Sequence, residues 1–339
     1  MKKTLVLISL LYSLSFGCQK TNNPVVKDIL EKVKDHYTDK DLYKKLETEF
    51  QPEDWDTLTG KELAQKLTEK LRTVSGDQHF FIKYKDGLTS ENKKNAKETA
   101  AENNFLNSLE NFGFENVKRL EGNIGYINFK GFAESHSSAK TLASVMDFVA
   151  NTNSLIIDLR ENRGGDNGML ILFCSYFFKE KTNLYSTYFR DKEKTVQNTT
   201  RTKVLGKKYL DKNVYILTSR SSFSAAEGLA YFLKNYKLAK IIGENTGGAA
   251  NPVDEFIIAD QYLTVIPVGK ITATITHGNW EHTGVSPDIK TTSENALKTA
   301  YILALKEIMN SKIQTELNRD ELESLIEKLE NEKSKMAIF

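Results

Sequence analysis

Leu217-Thr218-Ser219-Arg220-Ser221-Ser222-Phe223-Ser224-Ala225-Ala226-Glu227 is a hydroxyl-rich turn set between two apolar segments. Val214 to Leu217 before it reads as a buried strand, and the residues from Ala225 to about Tyr236 carry helical spacing. Strand, tight turn and helix form the repeating unit of an α/β fold, whose functional loops gather at strand carboxyl ends. A serine at the start of such a helix lies beside backbone N–H groups that favour developing negative charge. Serine is also a common helix cap, so the turn alone leaves Ser221, Ser222 and Ser224 open as caps or as a nucleophile.

Two further glycine-rich turns follow apolar runs. Ile157-Asp-Leu-Arg-Glu-Asn-Arg-Gly-Gly-Asp166 closes the run from Ser154 to Leu159, and paired glycines there let backbone amides approach a ligand. Gly243-Glu-Asn-Thr-Gly-Gly-Ala249 follows Ile241-Ile242 and lacks the Gly-Lys-Ser/Thr ending of a phosphate-binding loop. Around these turns the pattern predicts a strand over Asn123 to Phe129 and helices over Ala139 to Val149 and up to Phe178. Polar-apolar alternation from Phe256 to Val268 predicts added antiparallel strands. Ahead of this core, Val26, Ile29, Leu30 and Val33 mark a helix, and Thr59 with Glu62 reads as a capping box opening another. Phe81 to Tyr84 alternates as a short strand, and Thr89 to Asn104 reads as an exposed loop or surface helix. The stretch from Ile313 to Lys335 reads as a charged amphipathic helix. The expected organisation is an N-terminal helical subdomain with a polar linker (25–118), an α/β core (119–310) and a C-terminal charged helix (311–339).

Composition excludes several classes. With 47 Lys and Arg against 45 Asp and Glu, the chain has no global pull on nucleic acid or anionic lipid. The first residues carry Lys2-Lys3, an apolar run from Leu5 to Phe16, then Gly17 and Cys18. That run is shorter than the roughly 20 residues of a bilayer span and has the layout of a secretory leader. Ser-Phe-Gly-Cys18 resembles a bacterial lipobox, which predicts a signal peptide over 1–17, lipidation of Cys18 and a tether over 18–24. The expected location is outside the cytoplasm, anchored to a membrane. Cys174 then has no partner for an internal disulfide, and its apolar neighbours mark it as packing.

The five histidines stand at 36, 79, 136, 277 and 282, and no two have helical metal-ligand spacing with a glutamate between. No metal or other cofactor is expected. A serine hydroxyl does need a base within reach.

The order of the segments carries a resemblance. Gly-Asn-Ile-Gly-Tyr-Ile at 122–127, Asp-Leu-Arg-Glu-Asn-Arg-Gly-Gly at 158–165, the serine turn at 218–227, Gly-Glu-Asn-Thr-Gly-Gly at 243–248 and Trp-Glu-His-Thr-Gly-Val-Ser-Pro-Asp-Ile at 280–289 resemble the tail-specific, or C-terminal processing, peptidase family. The nearest branch is the one containing tricorn core protease and interphotoreceptor retinoid-binding protein. The resemblance implies a crotonase-like (ClpP-like) α/β core with a small N-terminal helical subdomain. The ~40 mostly polar residues between His79 and Gly122 leave no room for a PDZ domain.

Processing peptidases of this family use a Ser-Lys dyad, and the lysine position is occupied here by Ala249. The tricorn-like branch uses a histidine in a motif similar to Asp-x-His, which Asp77-Gln78-His79 matches. The resemblance therefore implies Ser224 as nucleophile, His79 as base and Glu281 as the acidic residue that positions it. Gln78 stands where the branch carries a relaying serine. Ser224 or Ala225, with Gly164 or Gly165, would supply the oxyanion hole, and His282 replaces a commoner glycine. The implied function is a serine-type peptidase acting through an acyl-enzyme on peptide or protein substrates, with oligomerisation left open. The alternative is a non-catalytic lipoprotein of the same fold that binds a hydrophobic ligand or peptide, and a third reading is a structural lipoprotein whose tail helix docks a partner.

Overall fold

The computed structural model describes residues 21–50, 55–87, 96–311 and 314–331. The expected leader, Cys18 and the last residues of the expected tail helix lie outside them, as do residues 88–95 of the polar linker.

Three helices open the described chain: α1 (Pro24–His36), α2 (Lys40–Glu49) and α3 (Gly60–Ser75). Asn23 caps α1, its Oδ1 accepting from the N–H of Val25 at 3.0 Å, and Pro24 fills the first turn, where a missing N–H costs nothing. Thr59 is the N-cap of α3, but its side chain makes no capping bond, so the helix forms without the expected capping box. Gly76 ends α3 at φ +74 and returns its N–H to Arg72 O at 2.7 Å, the left-handed ending that glycine favours. This turn aims the next residues, Asp77 to His79, away from the helix axis.

Strand β1 (Phe81–Tyr84) follows, then α4 (Ala96–Leu109), the only folded element among the described residues of the linker. The core adds β2 (Phe114–Leu120), β3 (Ile124–Phe129), α5 (Ser135–Val149), β4 (Ser154–Asp158), α6 (Asn167–Ser175), β5 (Asn183–Phe189) and β6 (Lys194–Thr199). It continues with β7 (Asn213–Thr218), α7 (Ala225–Asn235), β8 (Lys240–Gly243), β9 (Val253–Ile258), β10 (Tyr262–Pro267), β11 (Gly269–Ala273) and β12 (Ile289–Lys290). Helices α8 (Ser293–Met309) and α9 (Arg319–Asn331) close the chain.

The central sheet has the order β12-β8-β7-β4-β3-β2, with every pair parallel except β2 with β3. Both faces are covered, which is why its strands read as unbroken apolar runs. Leu155, Ile157, Val214 and Ile216 face α5, α6 and α7, while Ile156, Tyr215, Leu217 and Ile242 face α8 and α9. Alternate residues thus serve opposite cores, the period-2 rule of a strand. Two smaller sheets flank this one, β1-β10-β9 and β11-β5-β6, both antiparallel.

One expected boundary moves. β2 hydrogen-bonds to β3 through Phe114, so the core sheet begins five residues before residue 119. β1 pairs with β10, and α1 to α3 share one apolar cluster with Ile258, Tyr262 and Ile266. The N-terminal helices are therefore built onto the core, and their turn before β1 reaches its loops. Helix α9 buries Leu322, Ile326 and Leu329 against α8.

Candidate active site

The serine turn separates its hydroxyls by role. Ser222 is fully buried; its Oγ donates to Leu159 O at 2.7 Å and accepts from Ser219 N–H at 3.0 Å. Ser219 Oγ donates to Arg160 O and accepts from Ser221 N–H at 3.0 Å. These two tie the ends of β4 and β7 together. Ser224 stands apart at the N-terminus of α7, with φ +54 and ψ −118, a conformation that L-residues rarely adopt. Its N–H is held by Glu227 Oε2 at 2.8 Å. Glu227 is fully buried and also accepts from Thr246 Oγ1 at 2.5 Å, Gly248 N–H at 2.7 Å and Ala249 N–H at 2.9 Å. One carboxylate thus locks the serine corner to the Gly247-Gly248-Ala249 loop. Burial raises its pKa above the ordinary value, partly countered by those hydrogen bonds.

His79 reaches this corner from the far end of the sequence. Its Nε2 lies 3.2 Å from Ser224 Oγ, across a separation of 145 residues. Phe223 packs edge-on against the imidazole with ring centres 5.0 Å apart. The local turn is set by Asp77, whose Oδ1 accepts from His79 N–H at 3.0 Å, the two-residue Asx turn that this residue type forms readily. Asp77 is fully buried, and its Oδ2 accepts from Asn251 Nδ2 at 3.0 Å.

Glu281 comes to the same place. Its Oε2 accepts from the N–H groups of Ala250 at 2.7 Å and Asn251 at 3.1 Å. One oxygen of Asp77, one of Glu281 and one ring nitrogen of His79 lie within 4.8 Å of one another, the single such set of metal-type donors among the described residues. Backbone amides engage Glu281 Oε2, Asn251 engages Asp77 Oδ2, and Ser224 lies against His79 Nε2. Trp280, the residue before Glu281, is itself anchored, its Nε1 donating to Ala249 O at 2.9 Å from a buried position.

Gln78 does not join them. Its side chain is exposed and turns back to Gly76 O at 3.4 Å, because the Asx turn buries residues 77 and 79 and leaves 78 outward. No relay from residue 78 to Glu281 exists in this geometry. His282 is half exposed; its Nδ1 lies 3.1 Å from Gly76 O and 3.8 Å from Glu281 Oε1, joining the 280–284 turn to the end of α3.

The backbone donors need correction. Ser224 N–H is bound to Glu227, and Gly164 N–H is bound to Asn162 Oδ1 at 2.8 Å, so neither is free for an oxyanion. Among the described residues the Ala225 and Gly165 N–H groups have no protein acceptor, and both residues line the cleft that opens at Ser224. Gly164 serves by being small: a Cβ there would lie 2.7 Å from Ser224 Cβ and 2.8 Å from Ala225 N. The cleft has a volume of about 460 Å³, with Leu170, Tyr185, Ala250, Ile271 and Trp280 among its walls. A larger groove of about 880 Å³ lies at the opposite, amino-terminal ends of β7 and β8. Its Lys234 and Lys240 are paired with Asp288 at 2.9 Å and Glu307 at 2.6 Å, and no reactive set converges there. Cys174 is buried in the core, where burial pushes its thiol pKa far up, so it is inert packing.

Sequence reading passes over Asp77 as a site residue in its own right, and over Glu227, Asn251 and Tyr37. Asp77 has a signal, the Asx-turn spacing to His79. Glu227 is visible only as the third helical residue after a serine, a spacing that suggests capping rather than a four-way tie.

Residues 123–291 match peptidase family S41, and residues 18–112 match the N-terminal domain of that family as found in eukaryotic interphotoreceptor retinoid-binding protein. The chain belongs to peptidase family S41. Ser224 and Glu281 fall in the first matched region and His79 in the second. A carboxyl-terminal-processing peptidase of Arabidopsis thaliana chloroplasts is 27% identical over 178 residues, covering 49% of this chain and 31% of that protein. The chain thus spans about a third of the length of that relative. Among solved structures, a lipoprotein from Streptococcus agalactiae superposes with TM-score 0.55 at 18% identity, covering 84% of this chain and 96% of the other. A Parabacteroides merdae protein described as a candidate peptidase gives TM-score 0.54 at 16% identity, covering 92% and 98%. These two likenesses establish the mixed α/β fold with its helical N-terminal region.

Proposed function

We propose that this S41 chain is a serine-type peptidase that hydrolyses peptide bonds through an acyl-enzyme. The observation that carries the reading is the 3.2 Å approach of His79 Nε2 to Ser224 Oγ at a strained helix start. In this reading His79 takes the hydroxyl proton as Oγ attacks the substrate carbonyl carbon. The carbonyl oxygen becomes an oxyanion beside the N–H groups of Ala225 and Gly165 and the amino-terminal end of α7. His79 returns its proton to the departing amine, and the same base then activates the water that releases the acyl group. Ala249, fully buried against Glu227, offers no amine, which supports a histidine rather than a lysine base.

The cleft walls favour an apolar side chain next to the cut bond. Ser224→Ala should abolish hydrolysis of a peptide library while leaving the melting temperature unchanged. Hydrolysis persisting in that variant contradicts the assignment. The same apolar cleft supports a second reading, a binder of hydrophobic ligands or peptides, in which wild type and Ser224→Ala would bind alike and neither would cleave.

We further propose that the chain is exported and anchored through a lipid on Cys18. The lipobox-like Ser-Phe-Gly-Cys18 supports this. Metabolic labelling with a fatty-acid analogue should mark wild type and not Cys18→Ser; equal labelling of both contradicts it. No helix of the described residues is long and apolar enough to cross a membrane.

A further inference from the structure

The serine-facing nitrogen of His79 is accounted for; the other ring nitrogen is not. Nδ1 is buried without a hydrogen-bond partner, and it needs an acceptor to fix the ring and to receive charge during proton transfer. Two carboxylates flank it. Asp77 Oδ1 lies 3.5 Å from Nδ1, and the Asp77 side chain is fully buried. Asp77 is also covalently fixed two residues away and held from two directions, by His79 N–H and by Asn251 Nδ2. Glu281 differs. Its Oε2 takes two backbone N–H groups, but Oε1 is buried with no partner and faces a second carboxylate. An ionised oxygen placed so would be an uncompensated buried charge, whereas a protonated one becomes a donor.

We propose that Asp77 is the ionised carboxylate that positions His79, and that Glu281 stands beside the pair as a neutral, protonated acid in the resting site. The catalytic half of this rests on the peptidase reading; the protonation half does not. A buried carboxylate and a largely buried one within 4.8 Å of each other share a single negative charge more cheaply than they carry two. The groups facing them point the same way. Tyr37 and Arg72 approach Asp77 from α1 and α3, His79 lies between the carboxylates, and His282 lies 3.8 Å from Glu281 Oε1. Burial, followed by the charge of Asp77, pushes the Glu281 carboxyl up to about 7. Burial also acts on Asp77, but the bonds and charge of His79 and the bond from Asn251 outweigh it and hold Asp77 below the usual carboxylate range. Asp77 is thus a positioning residue, and Glu281 sets the pH above which a second negative charge enters the site.

Carboxyl ¹³C NMR of the full chain, with Glu281→Gln and Asp77→Asn used for assignment, tests the proton arrangement directly. The expected result is that Glu281→Gln removes a resonance titrating near neutral pH, while Asp77 stays ionised down to about pH 5. A Glu281 resonance already ionised at about pH 5 overturns the proposal. In parallel, kcat/KM is followed against pH. Asp77→Asn should lose about 100-fold or more throughout, whereas the Glu281→Gln profile should lack the wild-type transition near neutrality. A loss below about 10-fold in Asp77→Asn, or a neutral transition retained in Glu281→Gln, also overturns it. If wild type cleaves no peptide, the peptidase reading falls, and the carboxyl titration still decides where the proton resides.

Discussion

At the scale of single residues, the site depends on side chains that hold other groups in place. Ser224 occupies a left-handed backbone position that costs roughly 1–3 kcal/mol and persists only because its surroundings enforce it. Glu227 is the enforcing group, since it binds the N–H groups of Ser224, Gly248 and Ala249 and the hydroxyl of Thr246. Glu227→Ala should therefore lower unfolding free energy by at least about 2 kcal/mol, because it leaves several buried donors unpaired. Urea denaturation measures this, and an unchanged midpoint would remove Glu227 from the account. His79→Ala should lower kcat/KM by roughly 1,000-fold or more with the fold intact, the size expected when a base is lost.

At the scale of elements, the turns decide what the strands and helices present. Gly164 sits against the Ser224 corner at φ +91, so Gly164→Ala would both strain its own backbone and push Ser224 Cβ away. The expected outcome is a loss of about 10- to 100-fold in kcat/KM with the helical circular dichroism retained. The 76–80 turn and the 280–282 turn meet at Glu281, and this junction gives stability a pH dependence. A carboxyl raised to about 7 in the folded protein binds a proton that the unfolded chain has already released. Its contribution is thus fully present below the ordinary glutamate pKa and is lost as pH rises through about 7. Asp77 contributes oppositely: held below its ordinary value, it stabilises above that value and loses this as pH falls. Thermal melts across neutral pH should show a fall in stability that Glu281→Gln flattens.

At the scale of the whole molecule, the N-terminal helices and the α/β core form one working unit. His79 arrives on the turn after α3, Ser224 on the turn after β7, and the cleft is walled by α6, the β11-β5-β6 sheet and the loops before β9 and β12. Peptides with an apolar residue before the cut bond should react about 10- to 100-fold faster than those with an acidic one, measured as a ratio of kcat/KM.

Much of this architecture was legible because buried parallel strands leave continuous apolar runs. Ser154 to Asp158, Asn213 to Thr218 and Lys240 to Gly243 are strands where such runs predict them. The strands over 183–199 were not, since β5 and β6 are antiparallel and partly exposed, with Thr, Asn and Gln in place of an apolar stripe. Ser224, His79 and Glu281 could be named from motif order, yet their neighbours could not. Whether an N–H is free or already bound depends on partners far apart in sequence, as with Ser224 and Gly164. Asp77 escaped for a similar reason, because its tie to Asn251 spans 174 residues.

The central claim is that Ser224 is a nucleophile activated by His79. Reaction of the full chain with a fluorophosphonate probe, read by mass spectrometry of the modified peptide, tests it most directly. Covalent labelling is expected at Ser224 in wild type, with a rate at least about 100-fold lower in His79→Ala. Absence of labelling in the folded wild-type protein, or equal rates in both proteins, would contradict it.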